Sequence, residues 1–514
     1  MKKTGMLLCI LSGLLLALSF PNFDFEFLAW FALIPLFCAF EEKSLYQSFK
    51  LGFLTGVVAY LAILYWIIVA VHTYGNVPLI LSGLILLLLI IYLALFIGAF
   101  AFLTRLVQMR SGIQTPLFAA ILWATLEYLR SFLLTGFPWA NLAYSQYLNL
   151  PLIQIAEITG PYGPSFTILL VNATLFSVIR HWSKKTFPLK EMISTLLILL
   201  IVLIYGHLRM KQIDQEVHQS PSLKVGLVQG NIDQSIKWEE SFQRETLKIY
   251  ERLSLKVALE KPDLIIWPET ATPFFFQDEK EYQSLVLSIP RKTGAFLLFG
   301  TPFYKVERRK VNHYNSAFLA SPSGELVGRY DKIHLVPFGE YIPLRKLLFF
   351  IESSIGEGIG NFQPGKEIVR FSLPQGRFGL LICFEIIFPD LCRRFVKEGA
   401  NFLVTITNDA WFGKTSAPYQ HFSIATFRAV ENRVFIARAA NTGISGLIDP
   451  RGKILQQGGL FTEEAINGTI RLMKEKTFYT LYGDLFAWIC SALALGLLVH
   501  SLLQARRGRK RIRK

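Results

Sequence analysis

LICFEIIFPD, residues 381–390, sets a cysteine at the end of an apolar run and an acid two residues later. RFGLLI (377–382) is short and continuously apolar, as expected of a buried strand, and a helical pattern follows over 389–399. Two readings of Cys383 stay open on this stretch alone. Free cysteine is among the most buried residue types, so it fills space in a core. Alternatively it is a nucleophile, aimed by the rigid strand that ends on it.

Outward from Cys383, similar runs recur: LKVGLVQ (223–229), DLIIW (263–267), AFLLFG (295–300), SAFLA (316–320), NFLVTIT (401–407) and VFIARAA (434–440). Turn signals such as SPSG (321–324) and DPRG (449–452) punctuate them, and helical patterns cover 239–259, 389–399 and 418–432. Strands alternating with helices predict an α/β sheet domain over 222–475. The polar stretch 208–221 before it reads as a linker.

The rest of the chain is a different material. The 514 residues are 52% hydrophobic and only 18% charged. A run of about 20 apolar residues spans a bilayer as a helix. Eight stretches qualify: 5–21, 26–41, 50–72, 79–103, 115–134, 162–180, 191–207 and 482–503. Pro35 interrupts the second, and the seventh is short. Seven helices before the α/β domain and one after it are expected, with 504–514 as a basic tail. Lys2, Lys3 and the apolar stretch to Leu18 resemble a signal peptide, but further spans follow at once, so this reads as an uncleaved first helix.

Lys and Arg sort between alternate loops. Lys2 and Lys3, Lys43 and Lys50, Arg105 and Arg110, Arg180 to Lys190 and the tail fall on one side. The loops near 22–25, 73–78 and 135–152 have neither residue. The positive side is cytoplasmic, which places both termini inside and 208–480 outside. The net charge of +16 is not a nucleic-acid signature, because seven of the last nine residues are Lys or Arg directly after an apolar helix. Such clusters fix topology and touch anionic lipid. Cys9, Cys38 and Cys490 lie in apolar runs; Cys383 and Cys392 suggest neither a disulfide framework nor a metal site. A free thiol outside the cytosol is unusual unless it is used.

Three motifs end strands in chemically active residues: IIWPET with Glu269, YDKIHLVPFGEYIP with Lys332 and Glu340, and CFE with Cys383 and Glu385. Each has a bland reading as loop acid, surface charge or core thiol. Together they are coherent. A carboxylate can take a thiol proton as general base, and an ammonium favours the thiolate and stabilises an oxyanion. His313, His334 and His421 remain rival bases on chemistry alone.

IIWPET, DKIHLVPFGEYIP and LICFEIIFPD together resemble the nitrilase, or carbon–nitrogen hydrolase, superfamily. With the surrounding spans the chain is similar to its membrane-bound branch, the bacterial apolipoprotein N-acyltransferases. VQGNIDQSIKW (228–238), TNDAWFG (407–413), ENRVFIARAANTGISG (431–446), GFPW (136–139) and ITGPYGPSF (158–166) extend the resemblance over essentially the whole chain. It implies an α-β-β-α sandwich joined to a polytopic helical membrane domain. It further implies Glu269 as base, Lys332 as oxyanion stabiliser, Cys383 as nucleophile, Glu340 and Glu385 in support, and Trp238 and Trp411 shaping substrate access. The family often has tyrosine after the nucleophile, where this chain has Phe384. The implied reaction moves an acyl chain from a phospholipid, typically phosphatidylethanolamine, through a cysteine thioester to the α-amine of a diacylglyceryl-cysteine on an apolipoprotein.

No cofactor or metal is expected, for no ligand cluster or phosphate-binding glycine loop is present in the sequence. A monomer is expected. Two rivals stand beside this reading. A membrane-tethered amidase would share the triad. A transporter with an extracytoplasmic binding domain would use Glu127 and Arg130, although as i,i+3 neighbours near a helix end these can simply pair and snorkel. Two apolar runs near the motifs, PFFF (273–276) and LLFFI (347–351) after Arg345 and Lys346, are either core or a membrane-facing rim in which Phe349 and Phe350 meet lipid.

Overall fold

The computed structural model describes residues 3–111, 116–183, 185–307, 310–341 and 361–512. The chain forms two compact units. One comprises Met1–Tyr65, Gly83–Lys211 and Tyr482–Lys514; the other comprises Trp66–Ser82 and Gln212–Leu481.

The first unit is helical. Among the described residues, five helices are long and apolar enough to cross a membrane: Leu45–Leu64, Leu79–Arg110, Tyr162–Trp182, Leu189–Gln219 and Leu485–Gln504. Helix also occupies Lys3–Leu18 and Pro116–Arg130. The stretch 26–41 is broken into a 3-10 turn, Glu26–Trp30, and a short helix, Ile34–Phe40, that accepts Pro35 in its first turn. Small residues let these helices approach closely. A Cβ on Gly52 would lie 2.5 Å from the Ile97 carbonyl oxygen, and one on Gly56 would lie 2.7 Å from Ala94 Cα.

Two expectations are refined here. The stretch 208–221 joins the two units, which divide after Lys211, but it does so as helix, because the helix from Leu189 continues to Gln219. LRMKQIDQEVHQ is polar but consists mostly of good helix formers, and only Ser220 and Pro221 stop it. Glu127 and Arg130 do not snorkel; they are 4% and 3% exposed. Glu127 accepts from Leu142 N at 2.7 Å and Trp123 Nε1 at 3.0 Å, while Arg130 donates to Tyr60, the Ala140 carbonyl and Asn141. They pin the loop after GFPW.

The second unit holds two six-stranded sheets. One has the order β12-β1-β2-β3-β4-β5, built from Ser222–Gln229 (β1), Leu264–Ile266 (β2), Phe296–Glu307 (β3), Lys310–Ala320 (β4), Leu326–Asp331 (β5) and Glu464–Arg471 (β12). The other has the order β11-β10-β9-β8-β7-β6: Arg370–Ser372 (β6), Arg377–Ile382 (β7), Phe402–Thr407 (β8), Phe435–Ala440 (β9), Gly446–Ile448 (β10) and Ile454–Gln457 (β11). In each sheet three neighbouring strands are parallel, β1-β2-β3 and β7-β8-β9, and the outer pairings are antiparallel. Helices Glu240–Ala258, Lys280–Thr293, Pro389–Lys397 and Ala417–Asn432 make the crossovers that parallel pairing requires. Strands buried on both faces read as unbroken apolar runs, and every residue of β8 and β9 is buried. Phe274 and Phe276 belong to this core, at 6% and 3% exposure, so PFFF is not a lipid-facing rim.

Residues 66–82 pack within this unit. Trp66 Nε1 donates to Gln420 Oε1 at 3.2 Å, its ring meets Phe412 edge-on, and Val77 packs with Val71, Leu81 and Phe338.

Candidate active site

The carboxyl ends of three strands, β2 and β5 of one sheet and β7 of the other, each release one functional residue. The chain leaves β2 through Trp267 and Pro268 to Glu269, leaves β5 at Lys332 and leaves β7 at Cys383. Residue 300 on β3 must be glycine for this path, because a Cβ there would lie 2.7 Å from Glu269 Cα. Cys383 has φ +54°, a left-handed conformation that costs a non-glycine residue on the order of 1–3 kcal/mol.

Glu269 is 7% exposed, and both its oxygens are held. Oε1 accepts from Asn315 Nδ2 at 2.8 Å, and Oε2 accepts from the Asn408 backbone N–H at 2.8 Å. Lys332, 1% exposed, places Nζ 3.0 Å from Glu340 and 3.5 Å from Glu269. Burial works against its charge, but the Glu340 and Glu269 carboxylates outweigh it and keep Lys332 an ammonium. Glu340 is fixed in turn by Asn315 Nδ2 at 2.7 Å and the Val336 N–H at 2.8 Å. Fully buried Glu385 takes Tyr330 Oη, Ile333 N and His334 N on one oxygen and Ile382 N on the other. It thereby ties the strand end before Cys383 to the loop that carries Lys332. Burial pushes its carboxyl up to about 7 against these donors.

Cys383 is partly exposed. Burial of the thiol and the Glu269 charge push its pKa well above the ordinary value, and Lys332 and a hydrogen bond with Thr407 offset only part of this. The thiol therefore keeps its proton at rest and needs a base to take it. Deprotonation has to accompany attack. Cys392, on the helix after the candidate nucleophile, is buried with its thiol 3.8 Å from the Ile386 carbonyl oxygen, as a packed residue.

The histidine bases fall away. The His334 ring stacks on Phe388 at 3.7 Å, and burial, helped by Lys332, holds its pKa near 4. The His313 ring packs on Phe275 and Tyr304. His421 directs Nε2 at the Cys383 carbonyl oxygen, 3.1 Å away, and Nδ1 at Asp409, 3.0 Å away.

Trp238 is 51% exposed, and Trp411 is half-buried on the 3-10 turn Asp409–Phe412. Arg345, Lys346, Phe349 and Phe350 lie outside the described residues. Sequence reasoning missed Asn315, Asn408 and Lys237. Lys237 is fully buried, its Nζ 3.5 Å from the Glu269 carbonyl oxygen, and burial lowers its pKa to about 8 with Glu269 opposing. Among the described residues no His/Cys/Asp/Glu group could hold a metal.

Two sheets with crossover helices and a Glu, Lys and Cys at their strand ends define a carbon–nitrogen hydrolase domain. Residues 224–477 match the Carbon-nitrogen hydrolase family, and residues 12–174 match the Apolipoprotein N-acyltransferase N-terminal domain. An apolipoprotein N-acyltransferase of Geobacter metallireducens is 49% identical over 490 residues, covering 95% of this chain and 93% of the relative. One from Pasteurella multocida is 32% identical over 494 residues, covering 95% and 94%. Among solved structures, Saccharomyces cerevisiae Nit3, a member of branch 10 of the nitrilase superfamily, is similar over 49% of this chain and 90% of its own, at 20% identity and a TM-score of 0.38. The chain belongs to the apolipoprotein N-acyltransferase family.

Proposed function

We propose that this membrane protein N-acylates lipoproteins with a phospholipid acyl chain through a thioester on Cys383, using Glu269 and Lys332 for the proton and charge transfers. As Sγ attacks the ester carbonyl, Glu269 takes the thiol proton and the Lys332 ammonium faces the developing oxyanion. Collapse expels the lysophospholipid alkoxide, which takes that proton from Glu269, and leaves the thioester. The α-amine of the diacylglyceryl-cysteine then attacks. Glu269 accepts a proton from it, the C–S bond breaks as the amide forms, and Glu269 returns that proton to the Cys383 sulfur. Phosphatidylethanolamine is the proposed donor. Glu340 and Glu385 hold Lys332 and the nucleophile's strand end, and Trp238 and Trp411 meet substrate.

The observation that carries this reading is the Glu269–Lys332–Glu340 cluster, of which the Glu269 and Lys332 charges bear on the Cys383 thiol. The intact mass of the full-length enzyme, taken after mixing with phosphatidylethanolamine, tests it. A gain of one acyl chain, reversed by hydroxylamine, is expected. Lysophospholipid should be released with it; ammonia released from a small amide substrate, with no acyl chain taken from phospholipid, would favour the hydrolytic amidase instead.

The Lys/Arg asymmetry supports cytoplasmic termini and an extracytoplasmic catalytic unit, which for a bacterial family member is the periplasmic side of the inner membrane, and the enzyme is proposed to act as a monomer. A single cysteine placed at Gln215, an exposed residue, is expected to react with impermeant maleimide on intact spheroplasts. Labelling only after lysis would invert this topology.

A further inference from the structure

Behind the strained nucleophile lies a fully buried chain of charged and polar side chains that the reaction steps above do not use. Arg438 on β9 donates from NH2 to Asp409 Oδ2 at 2.7 Å and lies 3.0 Å from His421 Nδ1. Asp409 also accepts from Thr407 Oγ1 at 2.7 Å. His421, on the helix Ala417–Asn432, reaches the carbonyl oxygen of Cys383 with Nε2 at 3.1 Å. Asp409 is 1% exposed, and His421 and Arg438 are 0% exposed. The space is reserved for this arrangement: a Cβ on Gly443 would lie 2.4 Å from Asp409 Oδ2.

The hydrogen positions follow from the partners. A carbonyl oxygen can only accept, so Nε2 carries hydrogen and donates to Cys383. Burial first, then the Arg438 charge, lower the pKa of His421, with Asp409 opposing. On the other edge of the ring, Nδ1 lies 3.0 Å from both Asp409 Oδ1 and the Arg438 guanidinium, so these two residues orient the imidazole that aims an N–H at the nucleophile's own backbone.

From this geometry we infer that His421, oriented by Arg438 and Asp409, is a positioning residue that holds the Cys383–Phe384 peptide in its left-handed turn. The peptide group is planar, so fixing its carbonyl oxygen fixes the direction of the Phe384 N–H and the origin of the Cys383 side chain together. A residue at φ +54° relaxes toward the ordinary regions of backbone space unless its surroundings hold it. Loss of the His421 bond lets the thiol drift from its line of attack.

The inference rests on Cys383 being the nucleophile, and its test separates the two. Full-length His421→Gln, His421→Asn and Cys383→Ala are compared in detergent with phosphatidylethanolamine as donor and a diacylglyceryl peptide as acceptor. A glutamine amide reaches the position of Nε2 and can still donate to the carbonyl; an asparagine amide reaches only that of Nδ1. The expected result is a kcat for His421→Gln within about tenfold of wild type and a loss of about 10²-fold for His421→Asn, with KM for the phospholipid unchanged in both. Equal kcat for the two amides, or a loss confined to KM, overturns the positioning role. Failure of both amides to fold overturns it too, by making His421 a core residue. Acylation by Cys383→Ala would instead overturn the nucleophile, whatever the amides do.

Discussion

Cys383→Ala is expected to fold, to bind phospholipid and to form no thioester, with a loss of transfer on the order of 10⁴-fold or more, as when a covalent catalyst loses its nucleophile. Cys392→Ala is expected to retain activity, since that thiol is packed against helix carbonyls. Cys383→Ser is expected to be nearly as poor as alanine, because Glu269 has far less purchase on a hydroxyl than on a thiol. The resting state of the thiol has its own signature. Burial and Glu269 raise its pKa, so the thiolate fraction keeps growing as pH rises past the value at which a free cysteine is fully ionised. Alkylation of Cys383 by iodoacetamide should therefore still accelerate above about pH 10, where an unperturbed thiol of pKa about 8.5 has levelled off. Normal transfer by Cys383→Ala, measured as N-acylated peptide, would remove the assignment.

The sequence disclosed the centre of the domain far better than its edges. The parallel strands β7, β8 and β9 are buried on both faces, so their residues form apolar runs that stand out without a structure. The edge strands gave no such pattern. In ILQQ (β11) only Ile454 is even partly buried, and β6 has three residues. β3 and β4 run several residues beyond their apolar halves into FYKVE and KVNHYN, where alternation is lost. That extension is why Asn315 went unread: it sits one residue before the run taken as strand, yet it bridges Glu269 and Glu340.

The reactive residues were legible because each follows a strand end. Their supports were not, because they act through burial and backbone contacts that residue type does not encode. Lysine is almost never fully buried, so nothing in VQGNIDQSIKW marks Lys237 as an interior amine. Asn408 serves Glu269 with its backbone N–H, which any residue but proline carries. How firmly Cys383 holds its proton was hidden for the same reason. The sequence names the charges around a thiol, but the balance between Lys332, Glu269 and desolvation depends on how deeply all three are enclosed.

Lys332→Arg is expected to behave as a disabling change despite the conserved charge. The ammonium is 1% exposed and sits between two carboxylates, 3.0 Å from Glu340 and 3.5 Å from Glu269. A guanidinium is larger and planar, and its fork pairs with carboxylates through two parallel bonds. In this enclosure it would turn toward Glu340 and Glu269 and away from the reacting carbonyl, and it would push Glu269 off the bonds from Asn315 and Asn408 that set its direction. Losing one oriented donor to an oxyanion costs about 10²–10³ in kcat, and a displaced base adds to that. The loss belongs to the chemical step, so the rate of thioester formation at saturating phosphatidylethanolamine should fall while KM stays near wild type. Lys332→Met separates charge from shape. It leaves Glu269 and Glu340 buried without their counter-ion, a change worth about 3–5 kcal/mol of stability when one partner of a buried pair is removed. Thermal unfolding should therefore rank the methionine variant below the arginine variant, while neither forms acyl-enzyme at an appreciable rate. An arginine enzyme with an undiminished thioester yield would take Lys332 out of the chemistry and leave it a structural counter-ion.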